Sequence, residues 1–261
     1  AAPRAGGVQH PGVRALAAVS KVVQPMDASM IAYRLAPRLN VAGRLADPAL
    51  ALDLLLETDE ERAGLMAREL DRLNAERQGM VSAAMVAARQ TAESVRAAGE
   101  RLIIVRNPAW QHGIVGLIAG KLCEECTLPV IAMSNNGHED VWVASCRSVP
   151  GFDVSAFIAS FAHMFIKGGG HAAAGGFSIA ADRLALFEES ARSWAEAHAI
   201  LPDDGPAIQI DCEISGRECS LETAQELLQL APFGAGNPEP VFALCGAIVE
   251  ACRSKIGRAH V

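Results

Sequence analysis

The sequence predicts an α/β fold followed by a smaller β unit, and three stretches carry that prediction. Leu102-Ile103-Ile104-Val105 and Pro129-Val130-Ile131-Ala132-Met133 are short continuous apolar runs, with an apolar helical pattern from Ile114 to Cys123 between them. That is a βαβ unit, and it implies a parallel strand pair. Between Thr58 and Ala98, residues Met66, Leu70, Leu73, Met80, Ala84, Ala88, Ala92 and Val95 keep a three-or-four spacing, broken by Arg77. A single helix of about 60 Å is expected there, long enough to join two parts of the chain. Leu201-Pro202-Asp203-Asp204-Gly205-Pro206 then reads as a linker, after which a new unit begins.

With 261 residues, half of them hydrophobic, the chain can bury a sizeable core. A formal charge of −7 excludes a protein that coats nucleic acid by bulk attraction, so any such contact must be local. No run approaches the roughly eighteen apolar residues of a spanning helix. The first residues, Ala1-Ala2-Pro3-Arg4-Ala5-Gly6-Gly7, carry neither an initiator Met nor a signal pattern, and a longer parent chain is expected. Seven scattered cysteines fit reduced thiols in a cytoplasmic setting. Cys123-Glu124-Glu125-Cys126 has no second pair and no His at ligand spacing, so no metal site is expected there.

Taken in order, Pro11-Gly12 opens a helix over Val13 to Val23, which Pro25 closes. In the segment from Arg34 to Arg44 three arginines and Asn40 gather around Pro37 and Gly43 with no acid among them, which favours an oxyanion patch over a solvated helix face. Thr58-Asp59-Glu60-Glu61 reads as a capping box with Thr58 as the cap, and Gly99 as the stop of the long helix. Trp110-Gln111-His112-Gly113 lies at the carboxyl end of the first strand, where open α/β sheets bind ligands, and His112 either caps the helix or binds. Asn135-Asn136-Gly137 is a turn, and Val141 to Cys146 the return strand, which delivers Ser145, Arg147 and Ser148 to its end. A guanidinium between two hydroxyls suits a phosphate; an ordinary loop arginine is the plainer reading.

Asp153 should cap a helix from Val154 to Met164. Next come Lys167-Gly168-Gly169-Gly170-His171-Ala172-Ala173-Ala174-Gly175-Gly176, with five glycines in the nine positions from Gly168. Positive φ and bare N–H groups would make this a phosphate-holding loop with His171 aimed at the ligand. A tight crossing of buried segments with a core histidine is the alternative. A strand, Phe177 to Ile179, and a helix, Asp182 to His198, should follow. Beyond the linker, residues 207 to 214 alternate as a strand, Ser220 caps a helix ending at Leu230, and Ala231 to Pro240 form a Pro/Gly loop before a strand from Val241 to Val249. Ile256 to Val261 looks non-native.

Five motifs in one order, Pro37-Arg38-Leu39-Asn40-Val41-Ala42-Gly43-Arg44, Trp110 to Gly116, Ser145 to Ser148, Gly169 to Gly175 and Pro232 to Phe242, resemble the RecJ family, single-strand-specific 5′-to-3′ exonucleases of the DHH phosphoesterase superfamily. The resemblance implies the end of a DHH catalytic domain over 1–56, a connector helix over 57–99, a DHH-associated α/β domain over 100–200, a truncated OB-type β domain over 206–252 and a non-native tail over 253–261. It implies hydrolysis of phosphodiester bonds in DNA repair and recombination, with two Mn2+ or Mg2+ ions whose ligands precede Ala1, so this segment holds neither metal ligand nor catalytic residue and is inactive alone. Asn40 and Arg44 would face the scissile phosphate, Ser145, Arg147 and Ser148 the 5′-terminal phosphate, and Gly169, Gly170, His171 and Gly175 the nucleotide, with His112 beside them and His171 and Arg44 supporting catalysis. Implied partners are single-stranded DNA with a 5′ end, a single-strand-binding protein or a helicase, and no membrane. Gln111, where the family often has His, and Cys146, where it commonly has a small residue, depart from the pattern. A DHH-type oligonucleotide phosphatase and a non-catalytic DNA-binding relative remain alternatives; residues 207–249 speak against the first.

Overall fold

A computed structural model of the chain describes residues 10–23, 26–138, 140–200, 208–248 and 251. The chain divides into two compact units, residues 1–206 and 207–261. Pro25, the Leu201–Pro206 linker and the tail from 253 lie outside the described residues.

The first unit opens with α1 (Pro11–Val19), which starts on Pro11 because a missing N–H costs nothing at the first helical position. It stops four residues before Val23. The Lys21 and Val22 N–H groups bond back to the Ala18 and Ala17 carbonyls, with Lys21 at φ 54°, a glycine-type helix end with no glycine to announce it. Next come α2 (Ala28–Met30), a π-helical turn (Ile31–Leu35), α3 (Ala36–Leu45) and α4 (Ala49–Leu56). The wide turn precedes Pro37, which has no N–H for a regular ladder.

The long helix is α5 (Glu60–Ala97), and its cap is Asp59 rather than Thr58: the Asp59 carboxylate accepts from the Arg62 N–H at 2.8 Å. Glu57 folds back to accept the N–H groups of Thr58 and Asp59, which moves the helix start one residue on. At the other end Gly99 sits at φ 73°, and its N–H and that of Glu100 return to the Arg96 and Val95 carbonyls. The amino half of α5 buries Ala63, Ala67, Leu70 and Leu73 against Leu16, Val41, Ala42 and Leu54. Its carboxyl half buries Val81, Met85, Ala88 and Ala92 in a different core. One helix therefore serves two hydrophobic clusters.

That second core lies under a five-stranded sheet: β1 (Ile103–Arg106), β2 (Val130–Ser134), β3 (Val141–Arg147), β4 (Phe165–His171) and β5 (Ala174–Ala180), in the order β1-β2-β3-β5-β4. β1 and β2 are parallel, joined by α6 (His112–Cys126), and every other pairing is antiparallel. With α5, α6 covers one face. The other is covered by α7 (Val154–Ser160), capped by Asp153 and ending in a 3-10 turn, Ala162–Met164, and by α8 (Leu184–His198). Phe157 and Phe187, both fully buried, pack there with Phe152, Phe161, Phe165, Phe177 and Trp194.

The glycine stretch departs from the expected loop. It spans β4 and β5, a hairpin turned at Ala172-Ala173, and no glycine from 168 to 176 has positive φ. Close approach is what requires glycine: a Cβ at Gly170 would lie 2.5 Å from the Ala174 carbonyl oxygen, and one at Gly176 2.8 Å from that of Ala144.

In the second unit, β6 (Cys212–Glu213) and β7 (Phe242–Ala243) pair in parallel, and Ser220 caps α9 (Leu221–Leu227), which ends in a 3-10 turn, Leu228–Leu230. Both strands are far shorter than their alternation suggests. A two-stranded ladder with no buried residue from 208 to 248 gives alternation nothing to pack against.

Candidate nucleic-acid interface

The direction of the β3 side chains sets the site. Trp142, Ala144 and Cys146 are buried toward α7 and α8, whereas Val143, Ser145 and Arg147 lie half-buried on the α6 face. Arg147 Nη1 donates to Ser145 Oγ at 3.1 Å and to the Cys146 carbonyl at 2.8 Å. Gly116 of α6 presses on this pair: a Cβ there would lie 3.2 Å from Ser145 Oγ and 3.3 Å from Arg147 Nη2. One turn earlier, on the same side of α6, Gly113 meets the backbone of α3. A Cβ on Gly113 would fall 2.1 Å from the Arg44 carbonyl oxygen, and Arg44 Nη1 donates to the Gly113 carbonyl at 3.1 Å. Arg44 and Arg147 therefore both lie against α6, Arg44 at Gly113 in its first turn and Arg147 at Gly116 one turn further on.

His112 is the exposed first residue of α6, and the residue at the cap, Gln111, makes no side-chain bond, so His112 does not cap. Asn40 is exposed one turn before Arg44 on α3 and shares its face. Across the sheet, register aligns Arg147 with Ala174 and His171 in one row, and Ser145 with Gly176 and Gly169 in the next. His171 stands exposed beside the hairpin turn, its Nδ1 accepting the Ala173 N–H at 3.3 Å. It is no core histidine.

Three expected contacts have other uses. The Ser148 hydroxyl donates within its own turn, to the Phe152 and Val149 carbonyls, so only its lone pairs remain. Gly175 faces α7, where a Cβ would meet Ile158 at 2.6 Å and Val154 at 2.8 Å, and Gly170 faces backbone. The all-positive patch is also not free. Arg38 Nε donates to Asp71 of α5 at 2.7 Å, and Arg34 Nη1 to the Lys21 carbonyl at 3.1 Å. Arg77 joins from α5, half-buried, with Nη2 on Asn74 Oδ1 at 3.0 Å and Nε buried without a partner. Burial first, and the Arg44 charge second, hold its guanidinium below the usual arginine range. Glycines three apart in His112-Gly113-Ile114-Val115-Gly116 were the readable trace of the α6 contacts; nothing local marks Asp71.

Two thiols, Cys146 and Cys123, are buried. Burial pushes Cys146 up to about 12 and raises Cys123 as well. Among the described residues no group of three or more His, Cys, Asp or Glu could hold a metal. Nor is any described helix long and apolar enough to cross a membrane.

Residues 99–197, which carry this α/β layer and its glycine-histidine hairpin, match the DHHA1 domain. Residues 210–261 match the RecJ OB domain. The single-stranded-DNA-specific exonuclease RecJ of Dickeya dadantii is 32% identical over 248 residues, covering 90% of this chain and 42% of that protein. For the Escherichia coli protein of the same name the figures are 32% over 251 residues, 90% and 42%, and for that of Bacillus subtilis 30% over 233 residues, 88% and 29%. The crystal structure of Thermus thermophilus RecJ in complex with Mn2+ superposes with a TM-score of 0.81 at 28% identity, over 96% of this chain and 36% of that one. Its complex with Mg2+ gives 0.77 at 27%, over 90% and 36%. The chain is thus similar to RecJ proteins over about nine-tenths of its length, and it spans less than half the length of the curated relatives it matches.

Proposed function

We propose that this chain is the substrate-binding part of a single-strand-specific 5′-to-3′ exodeoxyribonuclease that hydrolyses phosphodiester bonds during DNA repair and recombination. The observation that carries the reading is that α6 holds Arg147 and Ser145 at Gly116 and Arg44 one turn away at Gly113, on the same side of the helix. In the proposed complex Arg147 takes the 5′-terminal phosphate as a two-pronged donor, with Ser145 orienting the guanidinium. Asn40 and Arg44 face the scissile phosphate, and His112, His171 and Gly169 flank the nucleotide. Gly170 and Gly175 support that surface from within the hairpin, and Ser148 shapes its turn. Residues 1–56 would belong to a DHH catalytic domain, 57–99 to the connector, 100–200 to the DHH-associated domain and 206–252 to the OB-type domain. Divalent metal, with which the Thermus thermophilus relative was crystallised, would activate water and balance developing charge in hydrolysis; the described residues supply substrate contacts, so this segment alone is expected to be inactive. The match to the RecJ OB domain favours this over a small-nucleotide phosphatase. A cytoplasmic protein acting with a single-strand-binding protein or a helicase completes the proposal.

Arg147→Ala tests it in an equilibrium binding titration with 5′-phosphorylated and unphosphorylated single strands. The expected result is a loss of about tenfold for the phosphorylated strand, one charge-assisted donor pair, and little change for the other. Equal losses for the two ends would remove Arg147 from the terminal phosphate.

A further inference from the structure

A cavity of about 590 Å³ lies where the loop from Ser148 to Asp153 and the hairpin turn meet the carboxyl end of α8, with Pro150, Phe152, Ala156, Ala173, Trp194 and His198 among its lining residues. Backbone bonds fix its walls. The Ser148 and Val154 N–H groups donate to the Ala173 and Ala172 carbonyls at 3.0 Å each, and the Ile200 N–H donates to the Gly151 carbonyl at 3.0 Å. Trp194 forms the aromatic side, edge-on to Phe152 and stacked on His198 with ring centroids 4.4 Å apart. The two titratable side chains at the rim present acceptors. Asp153 takes three hydrogen bonds on Oδ1, from the Ser155 N–H and hydroxyl and the Ala156 N–H at 2.6–3.0 Å, and none on Oδ2 among the described residues. Those bonds, the Ser155 hydroxyl foremost, hold its carboxyl below the usual range, so it is charged at neutral pH. His198 Nδ1 bonds the Trp194 carbonyl at 2.8 Å. A carbonyl only accepts, so Nδ1 carries the hydrogen, and Nε2 is left to accept when the ring is neutral. No lysine or arginine lines the cavity.

We propose that this cavity docks an arginine side chain of a partner protein, its guanidinium on Asp153 Oδ2 and its methylene stem, with a neighbouring aliphatic residue of that partner, along Trp194 and Phe152. Charge complementarity chooses the occupant. A carboxylate with no cation beside it repels the phosphates of a nucleic-acid strand and attracts a positively charged donor. Guanidinium suits the site better than ammonium, because it is weakly hydrated, stacks on aromatic rings and offers several N–H groups to carboxylate and imidazole at once. Walls already tied by backbone bonds need no ordering when the ligand enters. The site is independent of the terminal-phosphate reading, since neither Arg44 nor Arg147 lines it.

The test titrates this chain, labelled with nitrogen-15, with the peptide acetyl-Ala-Leu-Arg-Leu-Ala-amide and follows the indole N–H signal of Trp194, with Trp110 and Trp142 as internal controls. A saturable shift of Trp194 alone is expected, with a Kd on the order of 1 mM for so short a probe. The same peptide with citrulline in place of arginine, equal in shape and uncharged, should bind about tenfold more weakly. Asp153→Asn keeps an equivalent helix cap, so the fold should stand while the arginine peptide loses about tenfold and the two peptides become equal. Ala156→Leu adds bulk from an exposed helix position that lines the cavity and should block both peptides with the unfolding temperature unchanged. Equal binding of the arginine and citrulline peptides, an undiminished arginine preference in Asp153→Asn, or no Trp194 shift up to about 10 mM peptide would overturn the proposal. So would a 5′-phosphorylated thymidine hexanucleotide that moves the Trp194 signal where the peptide does not, which would give the cavity to nucleic acid.

Discussion

Replacing the hairpin glycines one at a time by alanine separates two explanations for their presence. If the stretch needed positive φ to cradle a ligand, every replacement would strain the backbone. In the hairpin all of them are extended, and only the space above each Cα differs. Gly169→Ala meets nothing within 4 Å and should be neutral or stabilise by about 0.5–1 kcal/mol, the entropy a strand glycine forfeits. Gly170→Ala would put a methyl 2.5 Å from both the Ala174 oxygen and the Gly175 Cα, backbone atoms that no rotamer change removes. Overpacking of that kind costs about 1–3 kcal/mol or more. At about 2–4 °C per kcal/mol for a unit of this size, the unfolding temperature should fall by about 2–12 °C. Gly175→Ala meets Ile158 at 2.6 Å and Val154 at 2.8 Å, but also the Gly169 carbonyl oxygen at 2.9 Å, and should cost a similar amount. Thermal unfolding followed by circular dichroism ranks the three variants. A Gly169→Ala variant destabilised as much as Gly170→Ala would refute the close-approach account.

Two further outcomes follow from charge and burial. In the folded chain iodoacetamide should label the exposed Cys212, Cys219 and Cys245 and spare Cys146 and Cys123, whose burial disfavours the thiolate; peptide mass spectrometry showing early Cys146 labelling would contradict its placement in the core. The Arg89 guanidinium, bidentate on Glu125 at 2.7 and 2.8 Å, holds that carboxylate below its usual range. The pair's contribution is thus present above the ordinary glutamate pKa and lost as pH falls through the lowered folded value. Both side chains are largely exposed, which keeps the effect under about 1 kcal/mol. Urea midpoints of Arg89→Ala should lie below wild type near neutral pH and converge with it in acid; a constant gap would assign the effect to packing.

Legibility followed the range of the interaction. The long helix, the βαβ unit and the Asp153 cap were readable because each depends on residues within a few turns of one another. The shift of the α5 cap to Asp59 was not, since it turns on Glu57 folding back over two N–H groups. Nor were the true strands of the second unit, because periodicity records what a strand could bury and not whether a partner is there. At the candidate site the residue types were legible and their alliances were not: Arg38 is spent on Asp71, thirty-three positions away, and Ser148 on its own turn.

Sequence alone determined the α/β class of this protein through its apolar runs and periodicity, and its likeness to RecJ proteins through ordered motifs. Tertiary structure decided what the glycines do. A glycine run is compatible with a positive-φ loop or with close strands, because lacking a Cβ permits both, and only the neighbours at Ala144, Val154, Ile158 and Ala174 select the hairpin. The same pairing, by aligning Arg147 with His171 and Val143 with Lys167 across β5, turned separate motifs into one surface.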